Sequence, residues 1–262
     1  MTKKTRNETA KTRNLSRREM LRLTAATAAV TLVGCVRGQS VSEGPKTMPT
    51  EKSNQPTAAK IPACVVRPEQ TEGPYFIDEK LNRSDIRSDP SDKSVKDGVA
   101  LRVVFRVSKM DGKSCSALSG AIIDLWQCDA LGEYSDIEDM SGLFDTRGKK
   151  FLRGFQTTDS SGKAEFVTIY PGWYPGRTVH IHFKIRTDAK ARQGHEFTSQ
   201  LYFDDAITDQ VHARAPYASK GQRSRRNNKD GIFQEGGDQL ILQVAREAQG
   251  YMGTFDIGLQ FT

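Results

Sequence analysis

No apolar run in this chain is long enough to cross a bilayer. The longest, residues 23–33, holds eleven residues of mostly Ala, Thr, Leu and Val, where a spanning helix needs about 20. Charge of one sign is also missing once the chain is divided. The formal net charge of +7 suggests nucleic acid or an anionic surface. Residues 1–34, however, carry eight Lys or Arg against two acids, and the remainder holds 31 basic and 30 acidic residues. The excess sits in the leader, so nucleic-acid binding carries little weight. Hydrophobic residues are few, 36%, which suffices for one packed core if part of the chain stays outside it. Internal repeats are absent and helical periodicity is weak; only residues 206–213 read as a short helix. Beyond Cys35, the three cysteines Cys64, Cys115 and Cys128 permit one disulfide with one thiol left over, and all three pairings stay open.

What the leader does contain is a twin arginine, Arg17-Arg18, ahead of the apolar stretch, which then ends in Leu32-Val33-Gly34-Cys35. The first feature reads as a twin-arginine export signal over residues 1–34. The second resembles the lipobox of bacterial lipoproteins, with Cys35 as the lipidated residue. Both imply a periplasmic or membrane-anchored extracytoplasmic protein, exported already folded. Residues 35–61 are rich in Ser, Thr, Pro, Gly, Lys and Glu without periodicity, the composition of a flexible tether. Residues 62–262 form the remaining domain.

Within that domain, residues 100–108, 121–128, 164–170, 179–186, 198–203, 239–244 and 251–261 read as strands, punctuated by turn pairs such as Asp111-Gly112 and Ser161-Gly162. The expectation is an all-β domain, a β-sandwich of mostly antiparallel strands with long loops.

Two histidines, His180 and His182, lie two apart on one of these strands, so their rings share a face and can share an ion. Alone the pair is weak evidence, since a strand with two outward polar residues looks the same. Two tyrosines alter the balance. Tyr174 stands six residues upstream in the Gly/Pro-rich run Pro171-Gly172-Trp173-Tyr174-Pro175-Gly176-Arg177, and Tyr134 follows the turn at Gly132. A phenol ionises only near pH ~10 and is useful chiefly to a hard, strongly acidic cation such as Fe(III). An Fe(II) site of the cupin type wants a carboxylate shortly after the histidines, and residues 183–187 supply none.

With these residues the chain resembles the intradiol ring-cleavage dioxygenases, non-haem Fe(III) enzymes that include the catechol 1,2- and protocatechuate 3,4-dioxygenases. The resemblance rests also on Glu72-Gly73-Pro74-Tyr75-Phe76, the run from Trp126 to Tyr134, Phe151-Leu152-Arg153-Gly154 and Thr198-Ser199-Gln200. It implies that Tyr134, Tyr174, His180 and His182 are the ligands of Fe(3+). It implies further that Arg177 stabilises developing negative charge, that Gln200 lines the site, and that Tyr174 is released by the substrate to act as a base. The reaction implied is cleavage of a catechol-type diol between its hydroxyl-bearing carbons, with both atoms of O2 entering a muconate-type diacid. The leader and the short segment before the first strand depart from the cytoplasmic catechol enzymes with their long helical N-terminal region, which leaves the substrate and any homo-oligomer open.

Two other classes fit parts of the pattern: an exported β-sandwich lipoprotein with incidental tyrosines, and one that binds a catechol or ferric catecholate without turnover. Among the other residues, Tyr75 belongs to a loop at the mouth of the site. Trp126 is expected in the core, His195 and His212 are not expected to be ligands, and Lys220, Arg223, Arg225, Arg226 and Lys229 read as a solvated loop.

Overall fold

Alternation of apolar and polar residues drives the chain into strands, and in a computed structural model these pair into two sheets. The structure describes residues 64–260 apart from 113, 140, 141, 143 and 188–193. The leader, Cys35 and the tether lie outside the described residues. Those described fall within one unit, Thr57–Thr262. The strands are β1 (Ala100–Asp111), β2 (Ser114–Ala117), β3 (Ile122–Trp126), β4 (Arg153–Thr157), β5 (Lys163–Ile169), β6 (His180–Arg186), β7 (Glu196–Tyr202), β8 (Val244–Glu247) and β9 (Gly250–Gln260). Two helices, α1 (Asp205–His212) and α2 (Gly231–Gln234), lie between β7 and β8.

The first sheet is built on β1, which pairs β9 in parallel and both β5 and β2 antiparallel, with β8 antiparallel to β9. The second runs β4-β3-β6-β7, antiparallel throughout. This is the all-β sandwich expected from the sequence. The sheets meet through aromatic rings: Phe183 of β6 lies 5.2 Å from Phe105 of β1 and 5.6 Å from Phe255 of β9, between ring centroids. Because strand side chains alternate, Ile181, Phe183 and Ile185 fill this core while His180 and His182 leave the opposite face of β6.

Three strands that were not anticipated are β2, β4 and β8; β4 carries Arg153 and Gly154, whose composition marks no strand. Residues 239–244 were expected as a strand, and of these only Val244 lies in one, as the first residue of β8. A 3-10 turn runs from Gly237 to Leu240, and Ile241 makes a single bridge to Tyr202. Leu240 and Leu242 are buried, and the Leu242 N–H donates to the Tyr202 carbonyl at 2.8 Å. The apolar alternation there docks a loop onto β7 and does not extend a ladder. Helix α1 forms where a short helix was expected, capped by Asp204, whose side chain accepts from the Ala206 and Ile207 N–H groups.

Of the three pairings left open, the disulfide joins Cys64 to Cys115, with Cα atoms 6.0 Å apart. It ties the start of the described chain to β2. Cys128 is a buried free thiol, its pKa pushed up by burial.

Candidate functional site

The outer face of β6 is not a solvated surface. His180 and His182 are 2% and 1% exposed, because loops and neighbouring side chains cover them. The register places Trp126 of β3 and Gln200 of β7 on either side of His182, and Tyr202 beside His180. Trp126 stacks on the His182 ring at 5.1 Å and 8° between planes. Trp126 is buried as expected, but in a small cluster with Cys128 and Tyr134 on this outer face, apart from the main core.

The hydrogen bonding fixes one tautomer. His180 Nδ1 lies 2.7 Å from the Thr178 carbonyl oxygen, which can only accept, so Nδ1 carries the proton and Nε2 presents a bare lone pair. That Nε2 lies 3.0 Å from His182 Nε2 and 3.1 Å from Tyr174 Oη. Burial, with Arg177 adding to it, holds His180 down to about 3. Burial, then His180 and Arg177, lowers His182 well below the ordinary range. Both rings are therefore neutral at physiological pH, the form in which imidazole binds metals.

The two tyrosines come from loops that nest against each other. A Cβ at Gly132, where φ is +85°, would collide with the Trp173 carbonyl oxygen, and one at Gly172 with the Asp129 and Ala130 carbonyls. The Gly172 N–H in turn donates to Asp129 O at 3.0 Å. Glycine at both positions is thus what allows the loops to approach and brings the Tyr134 and Tyr174 rings to 5.8 Å in an edge-to-face arrangement. Tyr134 is buried, and its hydroxyl has no hydrogen-bond partner. Burial raises both phenols well above their ordinary pKa; Tyr174 adds to the effect at Tyr134, whereas Arg177 opposes it at Tyr174.

Arg177 is held from three directions. Its Nε donates to Asp230 Oδ2 at 2.9 Å, and its Nη2 donates to Gln200 Oε1 at 2.6 Å and to Tyr202 Oη at 3.4 Å. Burial works against its charge, but Tyr174 and Asp230 outweigh that and raise its pKa. Gln200 is fully buried and committed at both ends, since its Nε2 donates to Thr71 O at 2.9 Å. Asp230 is the functional residue that sequence reasoning missed. It lies 53 residues beyond Arg177, and its one local sign is the Asp-Gly pair opening α2, where its other oxygen accepts from Ile232 and Phe233 N–H.

Arg153 closes the back of the site. Its guanidinium donates to the Ser135 carbonyl and hydroxyl and to Tyr75 O, pinning the residue after Tyr134 to the loop at the mouth. Burial lowers its pKa to about 10 despite the pull of Tyr134. Tyr75 packs with its ring centroid 4.7 Å from that of Tyr134, the planes tilted by 37°, and is hydrogen-bonded to Asp139. A cleft of about 660 Å3 is lined by both site tyrosines together with Tyr75, Leu131, Glu133 and Lys220, among others. Of the basic run, Lys220 thus reaches the cleft and Arg223 is buried against Asp205 and Asp209, so the loop is only partly solvated.

A metal fits this donor set. Among the described residues no three His, Cys, Asp or Glu side chains converge, so an ion here must accept phenol oxygen. Two imidazole nitrogens already face one another, and a buried hydroxyl without a partner costs about 1–3 kcal/mol unless something supplies one. Two phenolates and two neutral imidazoles suit a hard trivalent cation.

The fold is that of ring-cleaving dioxygenases, as comparison with known proteins shows. A dioxygenase family model matches residues 71–223, more than half of the chain. An intradiol ring-cleavage dioxygenase from Tetranychus urticae superposes with a TM-score of 0.64 at 30% identity, over 74% of this chain and 94% of that one. The dioxygenase domain of a dioxygenase carbohydrate-binding protein fusion from Streptomyces sp. SirexAA-E matches at 31% identity with a TM-score of 0.53, over 76% of this chain and 100% of that one. A chlorocatechol 1,2-dioxygenase from Pseudomonas putida is 31% identical over 106 residues, 33% of this chain; the match spans only 36% of that enzyme's length. The chain belongs to the intradiol ring-cleavage dioxygenase family.

Proposed function

We propose that the protein is a non-haem Fe(III) enzyme that opens the ring of a catechol-type diol between its two hydroxyl-bearing carbons, consuming O2 and giving a muconate-type diacid. The observation that carries this reading is the convergence of Tyr174 Oη, His180 Nε2 and His182 Nε2 within 3.1 Å contacts, beside the unpartnered Tyr134 hydroxyl. Tyr134, Tyr174, His180 and His182 would hold the iron. When bound, Fe(III) supplies the positive charge and Lewis acidity that keep phenols and a diol ionised at neutral pH.

The chain's own residues do the rest. Tyr174 is only partly buried, whereas Tyr134 is enclosed, so Tyr174 is the phenol able to leave its position and take a proton from a substrate hydroxyl at Oη. Arg177, fixed by Asp230 and Gln200, aims a charged donor group at negative charge developing on the substrate. Trp126 and Tyr75 pack around His182 and Tyr134 and exclude water. The leader features at Arg17-Arg18 and Cys35, outside the described residues, support export by the twin-arginine route and a lipid anchor, with residues 35–61 as tether and 62–262 as catalytic domain.

The test is oxygen uptake by the iron-loaded protein with catechol, with 18O2 used to label the product. Incorporation of both atoms into an acyclic diacid, abolished by iron removal and restored by iron, supports the reading. Iron and catechol binding without uptake returns a binding protein to first place.

A further inference from the structure

We infer that the cleft selects catechols bearing an extended uncharged or cationic substituent and discriminates against those bearing a ring carboxylate. This rests on the reading above and names its substrate class. Clefts of roughly 300–1,000 Å3 enclose drug-sized ligands, so a cleft of about 660 Å3 has room for several times the volume of one dihydroxybenzene ring. The apolar part of its wall is Tyr75, Leu131, Phe144 and Pro175, suited to a carbon chain or a second ring.

The charges on that wall are unequal. Glu133 and Asp139 are carboxylates, and Lys220 is the one cation among the described lining residues. The Lys220 ammonium is already engaged: it donates to the Leu131 carbonyl and lies 5.1 Å from the Trp173 ring centroid. The Asp139 carboxylate takes the Tyr75 phenol. Deeper in, Arg153 is matched by the Ser135 and Tyr75 carbonyls, and Arg177, fixed by Asp230 and Gln200, is already assigned to the negative charge developing on the diol, so neither is left over for a ring carboxylate. A ring carboxylate entering this cleft loses water beside two like charges, Glu133 and Asp139, and among the described lining residues meets the single Lys220 ammonium, already held against a carbonyl and a ring face, to offset them. An alkylammonium gains Glu133. Specificity of this kind comes from the repulsive element as much as from the attractive one.

The experiment compares four ligands on the iron-loaded protein: catechol, 4-(2-aminoethyl)catechol, a 4-alkylcatechol of the same chain length, and 3,4-dihydroxybenzoate. Equilibrium binding is measured by calorimetry without dioxygen, and kcat/KM with it. The expected result is that both extended ligands bind more tightly than catechol. The ammonium ligand should exceed the carboxylate by about tenfold or more, with that ratio shrinking as salt is added and in Glu133→Gln. Equal or preferential binding of the carboxylate, a salt-independent ratio, or bare catechol binding as well as the extended ligands overturns the inference while leaving ring cleavage standing. Failure of all four ligands to bind overturns the functional reading itself, and the inference with it.

Discussion

The Arg177 guanidinium and the Asp230 carboxylate form an ion pair 2.9 Å long, with the two side chains 16% and 1% exposed. The same Asp230 oxygen accepts the Thr178 N–H at 2.7 Å, so one carboxylate sets both the side chain of Arg177 and the backbone that leads into β6. Removing one member of a buried pair leaves the other uncompensated, at a cost of about 3–5 kcal/mol.

Arg177→Ala leaves Asp230 still bonded to the Thr178 N–H, so it lowers stability while the histidine–tyrosine cluster keeps its place; charge stabilisation is lost, with kcat falling about 10²-fold and iron content unchanged. Gln200→Ala, which removes one of the acceptors holding Arg177, lowers kcat by about 10-fold with little change in KM. Full activity in Arg177→Ala removes its assigned role.

Gly132→Ala puts a methyl group where φ is +85° and against the Trp173 carbonyl. The two tyrosine loops can then no longer nest. The expected outcome is a folded β-sandwich with a lowered melting temperature and weakened iron retention, measured by calorimetry and metal analysis. Unchanged iron retention shows that the loop contact does not set the tyrosine positions.

The disulfide Cys64–Cys115 closes 51 residues, worth up to about 4 kcal/mol by loop entropy. Reduction, or Cys115→Ser, should lower the denaturation midpoint while leaving the site functional, because Cys115 lies on β2 and not in the second sheet. Cys128→Ser should not reproduce that loss through a bridge, since Cys128 is the free thiol.

Asp124, on β3, offers a pH test. Burial raises its carboxyl to about 6, against the opposing pull of Arg186, which pairs with it at 2.7 Å. An unfolded aspartate titrates near ~3.9. The folded state thus holds this proton more tightly, and the associated stability is fully present below pH ~4 and lost as pH rises through about 6. The magnitude is on the order of 3 kcal/mol. Carboxyl NMR titration should find the Asp124 midpoint near 6; a midpoint below 4 means that the Arg186 pair outweighs burial.

How much of this was legible in the sequence varies with the range of the interaction. The histidine spacing put both rings on one strand face because strand geometry is local, and the all-β class followed from alternation. Burial of that face was not legible: it depends on Trp126, Gln200 and the mouth loop arriving from other parts of the chain. Arg177 was found through resemblance, whereas its partner Asp230 sits in a stretch whose local role, capping α2, hides the long-range one. The strand expected at 239–244 failed because Leu240 and Leu242 bury themselves by docking on β7, a contact that apolar alternation alone cannot distinguish from ladder pairing. The cysteine pairing needed three-dimensional proximity, which spacing does not encode.

The most direct test is the visible spectrum of the purified, iron-loaded protein, recorded before and after adding catechol in the absence of dioxygen, for the wild type and for Tyr134→Phe. The account predicts a broad tyrosinate-to-iron absorption band that shifts to longer wavelength with catechol, and loss of the band and the iron together in Tyr134→Phe. A colourless wild-type protein after verified iron loading, or an unaltered band in Tyr134→Phe, contradicts it.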